Sequence, residues 1–257
     1  MAADVSVGLL AIYPIKSLDP LFVSEAPIGP TGALAGDRVA ALFDTAGKVF
    51  NAKRSALLHT IRSTYAPDLS TVTLTEPGKT ETTFLFQEGP ELNNWFSRVL
   101  GLPLNLVFSA DRPFPDDTEF PGPTIIARSS LETVASWYDF DLEECRRRFR
   151  TNIELTGSPA FFEDGLAANG GYDFLLGDIQ FSGMNLSARC VVPSRESQQG
   201  TLTPNFSRTF VEQRKKEAPA HLDHFYRLAL NTRVSAGSTG KVLRTGDPFA
   251  ELWNFNW

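Results

Sequence analysis

Cysteine is scarce in this sequence: Cys145 and Cys190 are the only two in 257 residues. They allow at most one disulfide, and no cysteine cluster is available for an iron–sulfur centre or a thiolate-rich zinc site. Long apolar runs are also missing. "VGLLAIY" and "YDFLLGDIQF" fall well short of the roughly 20 residues that a membrane-crossing helix requires. The opening "MAADVSVG" lacks the basic and apolar regions of a secretory signal. A cytoplasmic protein with reduced thiols is the expectation, with no membrane partner. Positive charge is in deficit: 24 Lys and Arg against 30 Asp and Glu give a net −6, which excludes a protein whose main partner is nucleic acid. Neither a P-loop, nor G-x-S-x-G, nor G-x-G-x-x-G occurs, which removes the simplest NTPase, hydrolase and dinucleotide readings. Histidine is limited to His59, His221 and His224. The last two share "HLDHF", whose spacing matches no zinc motif.

What is present is an ordinary globular composition, 42% hydrophobic and 21% charged, on a length that suits one large domain or two small ones. "VGLLAIYPIKS" reads as a strand ended by Pro14, "DRVAALFD" as another, and "TVTLTEPGKTETTFLF" as a hairpin around "PGK". In "GPELNNWFSRVLG", Leu92, Trp95, Phe96, Val99 and Leu100 recur on one helical face, with Pro90 before and Gly101 after. "LNLVFS" is a strand. "SADRPFPDDTEFPGP" has no period and reads as a domain junction or surface loop. Ser129 stands three residues before Glu132, the spacing of a capping box, so one helix is predicted from there to "RRRF". "FRTNIELTG" and "YDFLLGDIQFSGMNLSARCVVP" read as strands, "PNFSRTFVEQRKKE" as a last helix and "KVLRTGDPFAEL" as a last strand. Gly-Asp at 36–37, 177–178 and 246–247 suits turns between strands of a closed sheet.

Single residues leave alternatives open. Cys190 is either a buried inert thiol or a soft anionic ligand whose neighbour Arg189 helps it only where the strand bends or bulges. Lys16 and Ser17, just past an apolar strand, suit either a phosphate or a solvated turn. Arg38 reads alone as a surface ion-pair residue. Arg146, Arg147 and Arg148 suit the solvated end of a helix. Arg150 and Asn152, two apart, share a strand face and could fork towards one ligand. Cys145 reads as a helix-packing thiol.

In chain order, "YPIKS", "GDR", "RFRTNIEL", "FFEDG", "FLLGDIQF", "ARC" and "GKVLRTGDPF" resemble the MOSC family with its N-terminal β-barrel companion, a family that includes reductases of N-hydroxylated compounds and molybdenum cofactor sulfurases. The resemblance runs from about residue 5 to 252. It implies a mainly β fold with peripheral helices, with an N-terminal domain over residues 1–110 and a MOSC β-barrel domain over 111–257. It implies that Cys190 ligates the molybdenum of a molybdenum cofactor (Mo-molybdopterin) and is the catalytic residue. Lys16, Ser17, Arg38, Ser130, Arg150 and Asn152, with Arg189, would hold the pterin and its phosphate. The implied partners are a small N-hydroxylated substrate and a separate electron-donating redox protein. A non-catalytic cofactor carrier or sulfur-transfer protein would use the same residues. Thr151 stands where the family usually has proline, and Leu18 where it often has cysteine or a small residue.

Overall fold

The computed structural model describes residues 4–109, 111–217, 222 and 224–252. His221 and Asp223 of "HLDHF" lie outside the described residues. Down the chain the first elements are β1 (Ser6–Ile12), β2 (Leu21–Val23), β3 (Glu25–Pro27), β4 (Ala40–Asp44), β5 (Val49–Phe50), β6 (Arg62–Tyr65), β7 (Thr71–Thr75) and β8 (Thr82–Leu85). Helix α1 (Pro90–Leu100), β9 (Leu104–Phe108), β10 (Ile125–Ala127), α2 (Arg128–Ser136), α3 (Leu142–Phe149), β11 (Ile153–Thr156) and α4 (Phe162–Leu166) follow. The chain then forms β12 (Asp173–Leu176), β13 (Ile179–Ala188), α5 (Phe206–Glu217), β14 (Arg227–Val234), β15 (Val242–Arg244) and β16 (Phe249–Glu251). The fold is mostly β with helices at its periphery, as the sequence implies.

Eight strands form one sheet in the order β16-β12-β13-β14-β10-β11-β1-β2. It closes on itself, because β1 also meets the segment leading into β16. Val7 N–H donates to Asp247 O (2.9 Å), Gly246 N–H to Val7 O (2.7 Å) and Phe249 N–H to Val5 O (2.9 Å). Closure removes exposed edges. Strands β10 and β11 run parallel and are almost wholly buried; β10 is the apolar run Ile-Ile-Ala, whereas β11 carries the buried Glu154 between Ile153 and Leu155. The sheet encloses Leu10, Ile125, Ile153, Phe174, Phe181 and Leu230. The three Gly-Asp turns are there: Gly36, Gly177 and Gly246 have φ of 82°, 59° and 90°, a region that favours residues without a Cβ.

Two three-stranded sheets, β5-β4-β9 and β6-β7-β8, pack with α1 around a second core containing Ile15, Leu42, Val72, Trp95, Phe96 and Leu106. Gly101 caps α1 in the left-handed conformation, φ 74°, as its position predicts. The chain's first strands belong to the other core: β1 and β2 are members of the closed sheet, and β3 pairs with β15. The two cores are therefore laced together by residues 6–27.

A third apolar cluster joins α2, α3 and α5 through Leu131, Cys145, Phe149, Phe206 and Phe210. Here the expected single helix is two. It breaks after Ser136, Asp139 takes φ 54°, and Asp141 starts α3 by accepting from Glu144 N–H at 2.6 Å. The predicted capping box does not form: α2 begins at Arg128, and Ser129 Oγ donates instead to Ser158 O at 2.9 Å. Among the described residues, no helix is long and apolar enough to cross a membrane.

Glu163 on α4 is fully buried. Its Oε2 accepts from Ser130 Oγ (2.9 Å) and Ala127 N–H (3.2 Å), while Oε1 meets no partner among the described residues. Burial pushes its carboxyl up to about 7, with neighbouring Asp164 adding to the effect. A raised folded-state value means that the stability it contributes is complete below about pH 4.3 and is lost as pH rises to about 7. The loss amounts to roughly 3 kcal/mol for a shift of that size. Glu163→Gln is therefore expected to flatten stability between pH 4.5 and 7.5 and to exceed the parent at pH 8, read from urea midpoints across that range. Equal pH slopes for both proteins would refute this assignment.

Candidate functional site

A cleft of about 520 Å³ lies between the two cores. Its lining includes Lys16, Ser17, Arg38, Arg150, Asn152, Arg189 and Cys190. Seven of the eight residues singled out in the sequence thus converge on one space, from segments as far apart as residues 16 and 190. Ser130 does not: it is fully buried, accepts from Phe161 N–H (2.6 Å) and donates to Glu163. Its position at the start of α2, inside the helical layer, makes it a brace between α2 and α4, and its assignment to the cofactor is corrected.

Cys190 sits where β13 ends and the chain turns into the short 3₁₀ segment Val192–Ser194. The register of β13 against β14 shifts between Leu186 and Ala188. Arg189 and Cys190 lie past the end of the strand, where its alternation no longer applies, and both line the cleft. The thiol is partly exposed, and Val192 N–H approaches Sγ at 3.5 Å. Tyr226 O–H donates to the Cys190 carbonyl at 3.1 Å. Both cysteines are free, and Cys145 is fully buried among the helices.

Arg189 turns its guanidinium onto the carbonyls of Phe149 (3.1 Å) and Leu228, and its Nε is buried without a partner among the described residues. Burial pulls its pKa down to about 10, still charged at neutral pH. Arg150 is not on a strand. It closes α3 in the left-handed conformation (φ 55°), donates to Leu18 O at 2.6 Å, and lies 4.4 Å from the Tyr13 ring centre. Arg38 approaches the same ring at 5.3 Å and pairs with Asp37. Tyr13 is buried, its hydroxyl donating to Thr151 O at 3.2 Å, and burial first of all pushes its pKa up to about 12, so it stays neutral beside two cations. Asn152 is buried and committed to the protein: its amide donates to Ala11 O (3.0 Å) and its carbonyl accepts from Thr124 and Arg38. Arg150 and Asn152 therefore do not fork towards one ligand. Asn152 sets Arg38 and Thr124 in place instead. Ser17 has φ 78° and accepts from Ala52 N–H at 3.0 Å.

Lys16 is 7% exposed. Its ammonium donates to Phe114 O (2.9 Å) and Pro115 O (3.0 Å) and pairs with Asp116 at 2.7 Å. The Pro- and Asp-rich segment read as a junction or surface loop is thus one wall of the cleft. Sequence reasoning missed this, together with Arg148, Lys53 and Arg227, which also line the space. Arg148 is 3% exposed, bonded to Glu144, Pro193 O and Thr203, so it is no solvated helix end.

Residues 5–95 match the MOSC N-terminal beta barrel domain. Lys16, Ser17 and Arg38 lie within the matched residues, and Arg150, Asn152, Arg189 and Cys190 lie beyond them. Over 252 aligned residues the chain is 25% identical to the molybdenum cofactor sulfurase of Danio rerio, with 79% of this chain and 30% of that protein covered. The chain thus spans about a third of that relative's length. The solved YuaD protein of Bacillus subtilis is 11% identical, with a TM-score of 0.38 over 95% of this chain and 93% of that one.

The donor set fits a thiolate-ligated, anionic cofactor. A partly exposed thiol and several fixed cations share one cleft, although the chain as a whole is acidic. Its volume is in the range of small-molecule sites. Among the described residues no group of three or more His, Cys, Asp or Glu could hold a metal ion by itself.

Proposed function

We propose that the chain binds the molybdenum cofactor in this cleft and reduces small N-hydroxylated compounds. The observation that carries this reading is the meeting of the Cys190 thiol with Arg38, Arg150 and Arg189 in one space. When bound, the cofactor supplies two-electron chemistry that removes the oxygen of an N–OH group. Cys190 provides the protein's ligand to the metal, oriented by the Val192 N–H and by the Tyr226 bond to its carbonyl. Arg38 and Arg150, both held against the Tyr13 ring, offer positive charge to the cofactor's phosphate, with Lys16 and Ser17 beside them. Asn152 is a positioning residue that fixes Arg38. In this reading the residues up to about 110 form one half of the binding unit and the MOSC half follows. Electrons come from a separate redox protein.

The similarity to a protein named molybdenum cofactor sulfurase favours a second reading, in which the same residues carry the cofactor or hand on sulfur without turnover. Purification from a host with an intact molybdenum pathway separates the two. Stoichiometric molybdenum and pterin with benzamidoxime reduction by a chemical donor is the expected result. Stoichiometric metal without turnover assigns the carrier role, and absence of molybdenum rejects both.

A further inference from the structure

A lysine ammonium has three N–H donors. In Lys16 all three are engaged by one stretch of chain: the carbonyls of Phe114 and Pro115 and the carboxylate of Asp116. That stretch, residues 113–124, is a strap along the cleft. At its other end Asn231 donates to Asp117 (3.2 Å), Arg233 lies 5.4 Å from the Phe120 ring centre, and a Cβ on Gly122 would come within 2.4 Å of Thr232 O. The strap is anchored firmly on β14, whereas towards the N-terminal domain it is held by Lys16, by Phe114 N–H on Arg38 O (2.9 Å) and by an edge contact of Phe114 with Phe43 (5.5 Å).

We propose that Asp116 occupies the position of a ligand phosphate on Lys16, and that an incoming phosphate displaces this carboxylate and frees the Lys16 end of the strap. The proposal rests on reading the cleft as an anion site. Asp116 is well suited to leave, because its side chain is 61% exposed while that of Lys16 is 8% exposed. A carboxylate that reaches water can be hydrated as it leaves, which lowers the cost of breaking the pair. Partial desolvation works against ionisation of Asp116, but Lys16 and Arg38 outweigh it and hold its carboxyl below the ordinary range. It is therefore a carboxylate at every physiological pH, and repels a second anion from Lys16 as long as it stays. Binding and strap closure compete for one ammonium, so each weakens the other by the same factor.

The test uses the cofactor-free full chain, inorganic phosphate as probe, calorimetry for affinity and hydrogen exchange for the strap. Phosphate should raise amide exchange over residues 114–120 in the parent. Asp116→Asn should show raised exchange without phosphate and should bind phosphate about 5-fold tighter or more, the scale set by a half-exposed ion pair. Lys16→Met should also raise strap exchange but lose phosphate binding. Equal affinity of the parent and Asp116→Asn, or an unchanged strap in the phosphate-saturated parent, overturns the displacement while leaving the anion site intact. If neither the parent nor Asp116→Asn binds phosphate, the anion site itself is rejected, and the displacement with it.

Discussion

Cys190→Ala is expected to lose molybdenum and activity together while keeping its fold. Outer partners of a metal ligand already cost 10- to 100-fold in affinity when removed, so removing the protein's own ligand should lower retained metal by more than about 100-fold. No other thiol can substitute. Cys145 is 0% exposed in the helical cluster, and burial pushes its thiol up to about 12. The fold should tolerate the change, because the Cys190 side chain is only partly buried and the bonds that hold its segment come from the backbone and Tyr226. A surface-like cost within about 0.5 kcal/mol is expected. Elemental analysis and thermal unfolding of Cys190→Ala beside Cys145→Ala check both halves. Metal retained in the first variant, or lost in the second, refutes the ligand assignment.

Arg146→Ala should be the most destabilising single change near the site. Arg146 meets Glu154 with two parallel bonds, Nε to Oε1 and Nη2 to Oε2, each 2.7 Å. Glu154 is 2% exposed on β11, so truncating Arg146 leaves a buried carboxylate without its guanidinium. Breaking such a pair from one side costs about 3–5 kcal/mol. The sequence suggested a solvated Arg146, but the fork ties the end of α3 to β11 across the turn that carries Arg150 and Asn152. Loss of stability should therefore come with loss of cofactor retention. Arg146→Lys, which keeps the charge but not the planar fork, should recover only part of both. Urea unfolding of the three proteins reads the stability, and molybdenum per chain reads the site. A cost below about 1 kcal/mol for Arg146→Ala would show that Glu154 is supported some other way.

Local signals made much of this molecule legible before any coordinates. The β7–β8 hairpin around Gly78, helix α1 between Pro90 and Gly101, and the Gly-Asp turns each rest on a few adjacent residues whose chemistry admits one conformation. The convergence of Lys16, Arg38, Arg150 and Cys190 was legible only through the order of motifs along the chain, since no propensity brings residue 16 to residue 190. What stayed hidden has a common cause. Asp139 and Arg150 take positive φ without being glycine, so the sharp exit from α3 carries no mark in the sequence, and the break between α2 and α3 is marked only by Asp141 three residues before Glu144. Arg148 and Arg146 look like solvated residues because their burial depends on Glu154, Pro193 and Thr203 arriving from elsewhere. Ser130 was carried to the cofactor by motif position, whereas its hydroxyl faces Glu163.

The route of the first 27 residues has a practical result for anyone dividing the gene. A piece ending at residue 110 keeps β1 but strips it of β11 and of the 246–249 segment, leaving Val7 and Leu10 with water where the barrel stood. The remaining piece has a barrel with a missing stave. Each fragment alone should be insoluble or molten, and the pair, co-expressed, should reassemble through β1 into one soluble particle.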